Sequence, residues 1–330
     1  RIIRVANPLG TQDLPIGPSA LKAAFDVLLL IKAWALARRE SYEVIHAVED
    51  AGVVGTLVAA VQHVRVVYEK HSDLTSYRRG PMRNLLMGLY GRIEAVVVRR
   101  ADAVIGTGPG LVRQIRALAP ATSVHHIFDI PSSLATTSPE GIEKLRSVLQ
   151  RTPEEILVTF VGSFAEYQGV DLIFDAIPRV LEGGRNVRFV IIGGRPAEIR
   201  IRRRQLQKIG AADQVTFAGR IPPDKLPTYL EASDILLSPR RAGINTPLKL
   251  LDYLKAGRAI VATDTQANRL ILNDRTALLV AADACSFADG ICRLVRDEPL
   301  RQRLGVDGRR LIDQTFNFRE FRRLLAACYG

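Results

Sequence analysis

Arg240, Arg241, Lys249 and Asp252 crowd one short stretch of a 330-residue chain: Ser238-Pro239-Arg240-Arg241-Ala242-Gly243-Ile244-Asn245-Thr246-Pro247-Leu248-Lys249 and onward to Thr263. Cations at this spacing suit a diphosphate, which is met by several charge-assisted hydrogen bonds at once. The surrounding pattern says how they are positioned. An apolar strand, Ile235-Leu236-Leu237, runs into a polar loop and then into a helical pattern. Thr246 suits an N-cap and Pro247 the first helical position. Leu248, Leu251 and Leu254 give an apolar stripe, and Gly257 suits the stop. A second apolar strand, Ile260-Val261-Ala262, follows. Strand, loop, helix start and strand is how an α/β domain builds an anion pocket, with free N–H groups and the positive dipole end aimed at the ligand.

A second candidate loop is Val161-Gly162-Ser163-Phe164-Ala165-Glu166-Tyr167-Gln168-Gly169, between a strand and a helix. It reads either as an ordinary βα turn or as a loop beside phosphates. Gly193-Gly194 ends another strand, where backbone can approach a ligand. Arg220 follows a third strand and reads equally as a surface arginine or a partner of a nucleotide base. Thr263, Asp264 and Asn268 follow the strand after Gly257. In the first half, His46 with Glu49 and His71 stand at strand ends, where an imidazole can meet a sugar hydroxyl or simply brace the fold.

On these motifs the chain resembles the retaining glycosyltransferases of family 4, with the GT-B fold, and within them a subgroup carrying YQG and NTPLK. The resemblance implies two Rossmann-like, doubly wound parallel-sheet domains facing a cleft, with the nucleotide-sugar donor on the C-terminal one. Family members carry two glutamates eight positions apart; aligned on Gly257, the second falls on Asp252, the expected ribose contact, and the first on Ile244. The basic residues that many members place at about 163 or 164 and at 168 are Ser163, Phe164 and Gln168 here, so Arg240, Arg241 and Lys249 must supply the charge. The resemblance assigns His71, Asp252, Lys249 and Arg240 to catalysis. It assigns Gly162, Ser163, Gln168, Gly193, Gly194, Arg220, Arg241, Asn245, Thr246, Pro247, Leu248, Thr263 and Asp264 to donor binding. His46 and Glu49 fall on the acceptor side. Members open with a strand and glycine-rich loop, and this chain begins at what resembles a later strand, so that first segment is expected to be missing.

Apolar runs and helical patterns alternate throughout, which argues parallel βα units. First-half strands are expected at 2–5, 44–47, 64–68, 103–106 and 125–127, with helices over 19–40 and 82–100 among those between them. A Ser/Thr/Pro/Glu-rich passage over 132–155 sets the boundary, giving domains 1–150 and 151–330. Six more strands are expected from 157 to 280, then closing helices, the last over 318–330; the resemblance implies that this helix crosses back onto the N-terminal domain.

At 47% hydrophobic the chain can bury two cores, and it has no apolar run long enough to span a bilayer. The longest apolar stretch, over 27–36 and broken by Lys32, reads as an amphipathic or buried helix. The net charge of +12 reads as a solvated basic surface or as attraction to an anionic membrane, lipid-diphosphate or nucleotide sugar. With 6% aromatics and no recognition motif, nucleic acid is disfavoured. Cys285, Cys292 and Cys328 lack metal or disulfide spacing; the first two read as buried small residues, and the set fits a reducing cytoplasm, at the inner face of a membrane if peripheral.

The leading expectation is a retaining transferase, needing no metal and no cofactor beyond its nucleotide-sugar substrate, that glycosylates a glycan or lipid-linked acceptor. No D-x-D motif or Ser/His/Asp set is present. Rival readings are a GT-B epimerase or hydrolase, a degenerate nucleotide-sugar-binding subunit, and a basic scaffold.

Overall fold

The protein is described by a computed structural model covering residues 2–7, 10, 20–73, 81–132, 135–184, 186–242 and 246–330. Two compact units divide it: Arg1–Phe128 with Phe321–Gly330, and Asp129–Glu320.

The first unit carries a parallel sheet of β1 (Val44–Val48), β2 (Arg65–Lys70), β3 (Ala103–Gly106) and β4 (Ser123–His126), in that spatial order. Alternation along each strand separates two faces. Val66, Tyr68 and Val104 meet the helices Ala51–Gln62, Pro81–Arg100 and Pro109–Leu118. Val67, Ala103 and Ile105 meet Cys328, Phe321, Leu324 and Tyr329 of the helix Phe318–Tyr329. The expected strand over residues 2–5 does not form: no strand pairs with β1 on its free side among the described residues, and Ile2 is exposed.

The second unit holds β5 (Ile156–Val161), β6 (Val187–Ile192), β7 (Val215–Gly219), β8 (Ile235–Ser238), β9 (Ala259–Thr263) and β10 (Leu278–Val280). All pair in parallel, in the order β10-β9-β8-β5-β6-β7. Val158 and Phe160 of β5 pack beneath Val170–Glu182 and Ala284–Arg296; Leu157, one residue out of phase, packs on Leu149, Leu145 and Leu226 of the opposite face. Both faces are therefore covered, as a buried parallel sheet requires.

The division falls at 128/129 rather than at the expected 150/151. The helix Pro139–Leu149 belongs with the second unit because Leu149 joins its core and Arg146 pairs with Asp234 at 3.2 Å. Cys285, expected to be buried, is exposed at the start of its helix, and Cys292 is half-buried.

Candidate functional site

The strand order of the second unit reverses between β5 and β8. Loops leaving adjacent strands diverge there, one crossing over each face of the sheet, and leave a crevice at the carboxyl edge where ligands bind in doubly wound sheets. Tyr253 locks this edge. Its buried hydroxyl accepts from Val161 N at 2.9 Å and donates to Leu237 O at 3.3 Å, tying the end of β5 to the end of β8.

Lys249 enters the crevice from the helix Lys249–Lys255. Its Nζ donates to Gln168 Oε1 at 3.0 Å and Val161 O at 3.3 Å, and sits 4.6 Å from the centre of the Phe160 ring. Burial, and then the charge of Arg240, push its ammonium down to about 7. Arg240 is 7% exposed, with its guanidinium 5.3 Å over the Tyr167 ring and Nε donating to Ala242 O at 2.9 Å. Burial lowers its pKa, but a guanidinium stays charged at any physiological pH. Two cations are thus held close together with no carboxylate among the contacts just described, an arrangement that favours an incoming anion.

The loop 162–169 reaches this place because Gly169 lets it. At φ +67°, a Cβ on Gly169 would sit 1.9 Å from Pro239 O, so only glycine allows this loop to lie against the end of β8. The close fit also carries the hydrogen bond from Arg241 N to Tyr167 O at 3.1 Å. Gly193, at φ +109°, approaches Gly162 in the same way, a Cβ falling 2.0 Å from Gly162 O. The sequence pairs Gly162 with a phosphate and Gly193-Gly194 with a ligand; in the structure Gly193 is required first by the packing of β6 against the loop after β5.

The structure gathers Gly162, Ser163, Gln168, Arg240, Arg241 and Lys249 at the crevice, with Ser163 and Arg241 exposed and Gly193 and Gly194 one strand away. Other expected residues stand differently. The helix begins at Lys249 rather than Pro247. Residues 247–251 first make tight turns, with Leu250 N bonded to Pro247 O and Leu251 N to Leu248 O, so Thr246 is not the cap. Leu248 is exposed, and the buried stripe is Leu250, Leu251 and Leu254. Thr263, expected to face the sugar–phosphate, is fully buried, its hydroxyl donating to Arg240 O. Asn268, also buried, donates to Thr263 O at 2.8 Å and Ser238 O at 3.3 Å, so the pair braces the loop that carries Arg240. Asp264 is exposed and held by Arg269, which keeps its carboxyl below the usual range. Arg220 is exposed at the end of β7, the sheet's edge. Asn245, with Gly243 and Ile244, lies outside the described residues.

Asp252 accepts from Ser132 N at 2.8 Å and from Ser132 Oγ at 2.6 Å. Each carboxylate oxygen thus already has one donor, a backbone N–H on one and a hydroxyl on the other. Nothing in the sequence marks Ser132, 120 residues away.

In the first unit, sequence reasoning passed over the central group. Glu69, at the end of β2, takes His71 Nε2 on Oε1 at 2.7 Å and has His46 Nε2 2.8 Å from Oε2. The second contact is not aligned as a hydrogen bond. Burial opposes ionisation of Glu69, but the two imidazoles outweigh it and hold the carboxyl down to about 2. His46 Nδ1 meets Tyr329 Oη at 2.6 Å. Glu49, expected on the acceptor side, sits at φ +52° and accepts from His71 N, from Ser72 N at 2.7 Å and from Ser72 Oγ at 2.7 Å. It shapes the turn carrying His71, while His46, expected on the acceptor side, is held between Glu69 and Tyr329.

Two family profiles match the chain: "Glycosyl transferase 4-like domain" over residues 2–127 and "Glycosyl transferases group 1" over 155–297. A phosphatidyl-myo-inositol mannosyltransferase of Mycobacterium leprae is 29% identical over 154 residues, 46% of this chain and 40% of that protein. The alpha-D-kanosaminyltransferase of Streptomyces kanamyceticus is 26% identical over 348 residues, 92% of this chain and 87% of that one. The crystal structure of Anabaena HepE in complex with UDP aligns with a TM-score of 0.74 at 20% identity, covering 91% of this chain and 81% of the other. With its two parallel-sheet units, the fold is GT-B, and the chain belongs to the family 4 glycosyltransferases.

Proposed function

We propose that the chain transfers a sugar, with retention of configuration, from a nucleoside-diphosphate sugar to a glycan or lipid-linked acceptor. The observation that carries this reading is the pair of cations, half-buried Lys249 and buried Arg240, at the β5/β8 crevice. Their charge suits the diphosphate both in the bound donor and, more strongly, as the leaving group gains negative charge. Catalysis follows from that difference.

In the proposed step the acceptor hydroxyl attacks the anomeric carbon from the face the diphosphate leaves. The C–O bond to phosphate breaks, the electron pair departs with the diphosphate, and a phosphate oxygen takes the hydroxyl proton. No protein nucleophile is required. Lys249, close to neutrality in the free protein, takes up a proton as the diphosphate arrives and is then a full cation beside the leaving group. Metal independence is part of the proposal, since Lys249 and Arg240 supply the positive charge. Asp252 is proposed to bond the donor ribose in place of Ser132, and His71, held by Glu69, to orient the acceptor.

The test is a thermal-shift panel of UDP, GDP, ADP and dTDP with their sugars, with Mg²⁺ and with chelator. UDP comes first because the Anabaena neighbour binds it. One diphosphate at about 100 times its Kd should add about 2.7 kcal/mol of stability, equally in Mg²⁺ and chelator. No shift with any of them would overturn the donor site; a shift only with Mg²⁺ would overturn metal independence. Binding without transfer to any acceptor would favour a non-catalytic subunit.

A further inference from the structure

Three cations are buried among the described residues: Lys70, Arg188 and Arg240. The first two are matched with carboxylates, Lys70 with Glu94 and Arg188 with Glu155 at 2.9 Å. Arg240 has instead the face of the Tyr167 ring and the carbonyl of Ala242. Half-buried Lys249, beside it, also meets neutral partners: Gln168 Oε1, Val161 O and the Phe160 ring. Taking a charge out of water onto dipoles and ring faces alone is costly, and the nearness of Arg240 to Lys249 adds repulsion. Such an arrangement persists where something holds the two cations in place.

One short turn holds both. Glu166–Gln168 close on themselves, Gln168 N donating to Ala165 O at 2.9 Å and Gly169 N to Glu166 O at 3.0 Å. Tyr167 sets its ring against Arg240 and accepts from Arg241 N on its carbonyl, while Gln168 reaches Lys249 with its amide oxygen. Arg240 rides on the loop after β8 and Lys249 on the helix that follows, so the turn joins two separate carriers of charge. An amide oxygen and a ring face attract a cation without cancelling it, whereas a carboxylate would do both. The other titratable groups on these elements are engaged elsewhere or exposed. Tyr253 Oη is bonded to Val161 N and Leu237 O, Asp252 is turned to Ser132, and Glu166 and Arg241 are exposed.

We infer that Tyr167 and Gln168 are positioning residues for transfer: their turn fixes the Arg240 guanidinium on a ring face and the Lys249 ammonium on an amide oxygen, and so presents both charges uncancelled to an arriving diphosphate. The inference rests on the donor-site reading for its anion, but the hold on Lys249 is a property of the free protein and is tested there first. Gln168 gives the sharper test, because Glu differs from it in charge and hardly in shape. A carboxylate at 168 would tie Lys249 as firmly and leave a neutral pair where the diphosphate needs a cation.

Lysine carrying isotopic carbon at Cε gives the full chain a magnetic resonance signal for Lys249, identified by its loss in Lys249→Met. In the free wild type this signal should titrate at about 7. Gln168→Glu should raise the midpoint by about one to three pH units, and Gln168→Leu, which removes the amide dipole, should lower it. The opposite directions keep the test intact if one of the two variants fails to fold. Whichever of the UDP-, GDP-, ADP- and dTDP-sugars binds wild type should bind Gln168→Glu at least about tenfold more weakly at pH 7. Tyr167→Leu should weaken the same ligand about threefold to thirtyfold, and Tyr167→Phe, which keeps the ring, less than about twofold. A wild-type midpoint at the ordinary value of about 10.4, a midpoint unmoved by either Gln168 variant, or equal losses in the two Tyr167 variants would overturn the inference. If no nucleotide sugar binds wild type while the midpoint moves as expected, the donor-site reading fails and the hold of Gln168 on Lys249 stands.

Discussion

Replacing Lys249 by Met tests the site at its centre. In the free protein the ammonium is held down to about 7 by burial and by Arg240. A bound diphosphate dianion would return it toward the ordinary value of about 10.4. Binding should therefore take up about 0.5 proton at pH 7 and about 0.9 at pH 8. Between pH 7 and 9, wild-type affinity for a nucleoside diphosphate should fall about 50-fold, since a growing share of the free protein must be protonated first. The Met variant lacks that step: its affinity should be flat over the same range, and at pH 7 it should be roughly 10–100 times weaker, the loss of hydrogen bonds to a charged group. Stability responds with the opposite sign. The folded pKa lies below the unfolded one, so the unfolded chain binds more protons between about pH 7 and 10.4. Wild-type stability should rise with pH across that window, by up to ~1.4 kcal/mol per pH unit, and the Met variant should lack this contribution. Calorimetry in two buffers of different ionisation enthalpy reads the proton count directly. Zero uptake at pH 8 in the wild type, or equal uptake in the Met variant, would refute the reasoning.

Gly169→Ala should destabilise by at least about 2 kcal/mol, because it adds a clash with Pro239 O to a left-handed φ; Gly210→Ala, with φ +65° and open space, should cost only about 1. Chemical denaturation of both variants separates the two causes, and equal losses would mean that the clash is relieved by small shifts. Tyr253→Phe leaves the half-buried Val161 N without this partner and should cost about 1 kcal/mol while weakening diphosphate binding; a variant as stable as wild type would mean that water replaces the hydroxyl. Asp252→Ala should weaken diphosphate binding about tenfold, whereas Ser132→Ala should leave it equal or tighter, as read by titration calorimetry. Matching losses in the two would assign Asp252 to the 132 segment instead of the ribose.

The second unit was largely legible because its strands are short apolar runs punctuated by glycine and separated by amphipathic helices. Each of the strands expected from 157 to 280 overlaps an observed one, and their order placed the crevice where Arg240 and Lys249 could meet. Which way a polar side chain turns at a strand end was not legible. Thr263 and Asp264 are neighbours, yet one is buried in a hydrogen-bond network and the other is exposed beside Arg269. Alternation predicts opposite faces for such a pair but not which face holds the ligand. The helix start was misplaced for a local reason: Pro247 sets a φ that serves a tight turn as well as a first helical turn, and here the tight turn wins.

Contacts between distant parts of the chain were least legible, and they carry much of the chemistry. Ser132 meets Asp252, Tyr253 joins two strand ends, and Glu69 gathers His46 and His71. Each involves a residue whose sequence neighbourhood says only that it is polar near an apolar run. The family motif marks Asp252 and Lys249 but not what surrounds them, and the surroundings set their behaviour. Lys249 sits near neutrality because its helix delivers it to Phe160 and Arg240, and Asp252 is already met by a pair of donors. On the proposed reading both groups change partners when a donor arrives: one gains a proton, the other gives up Ser132. A motif residue that was free in the unliganded protein would bind without those exchanges. Here, proton uptake and the release of Ser132 should both accompany the same ligand, and a nucleoside diphosphate that produced one without the other would show that Lys249 and Asp252 do not serve a single site.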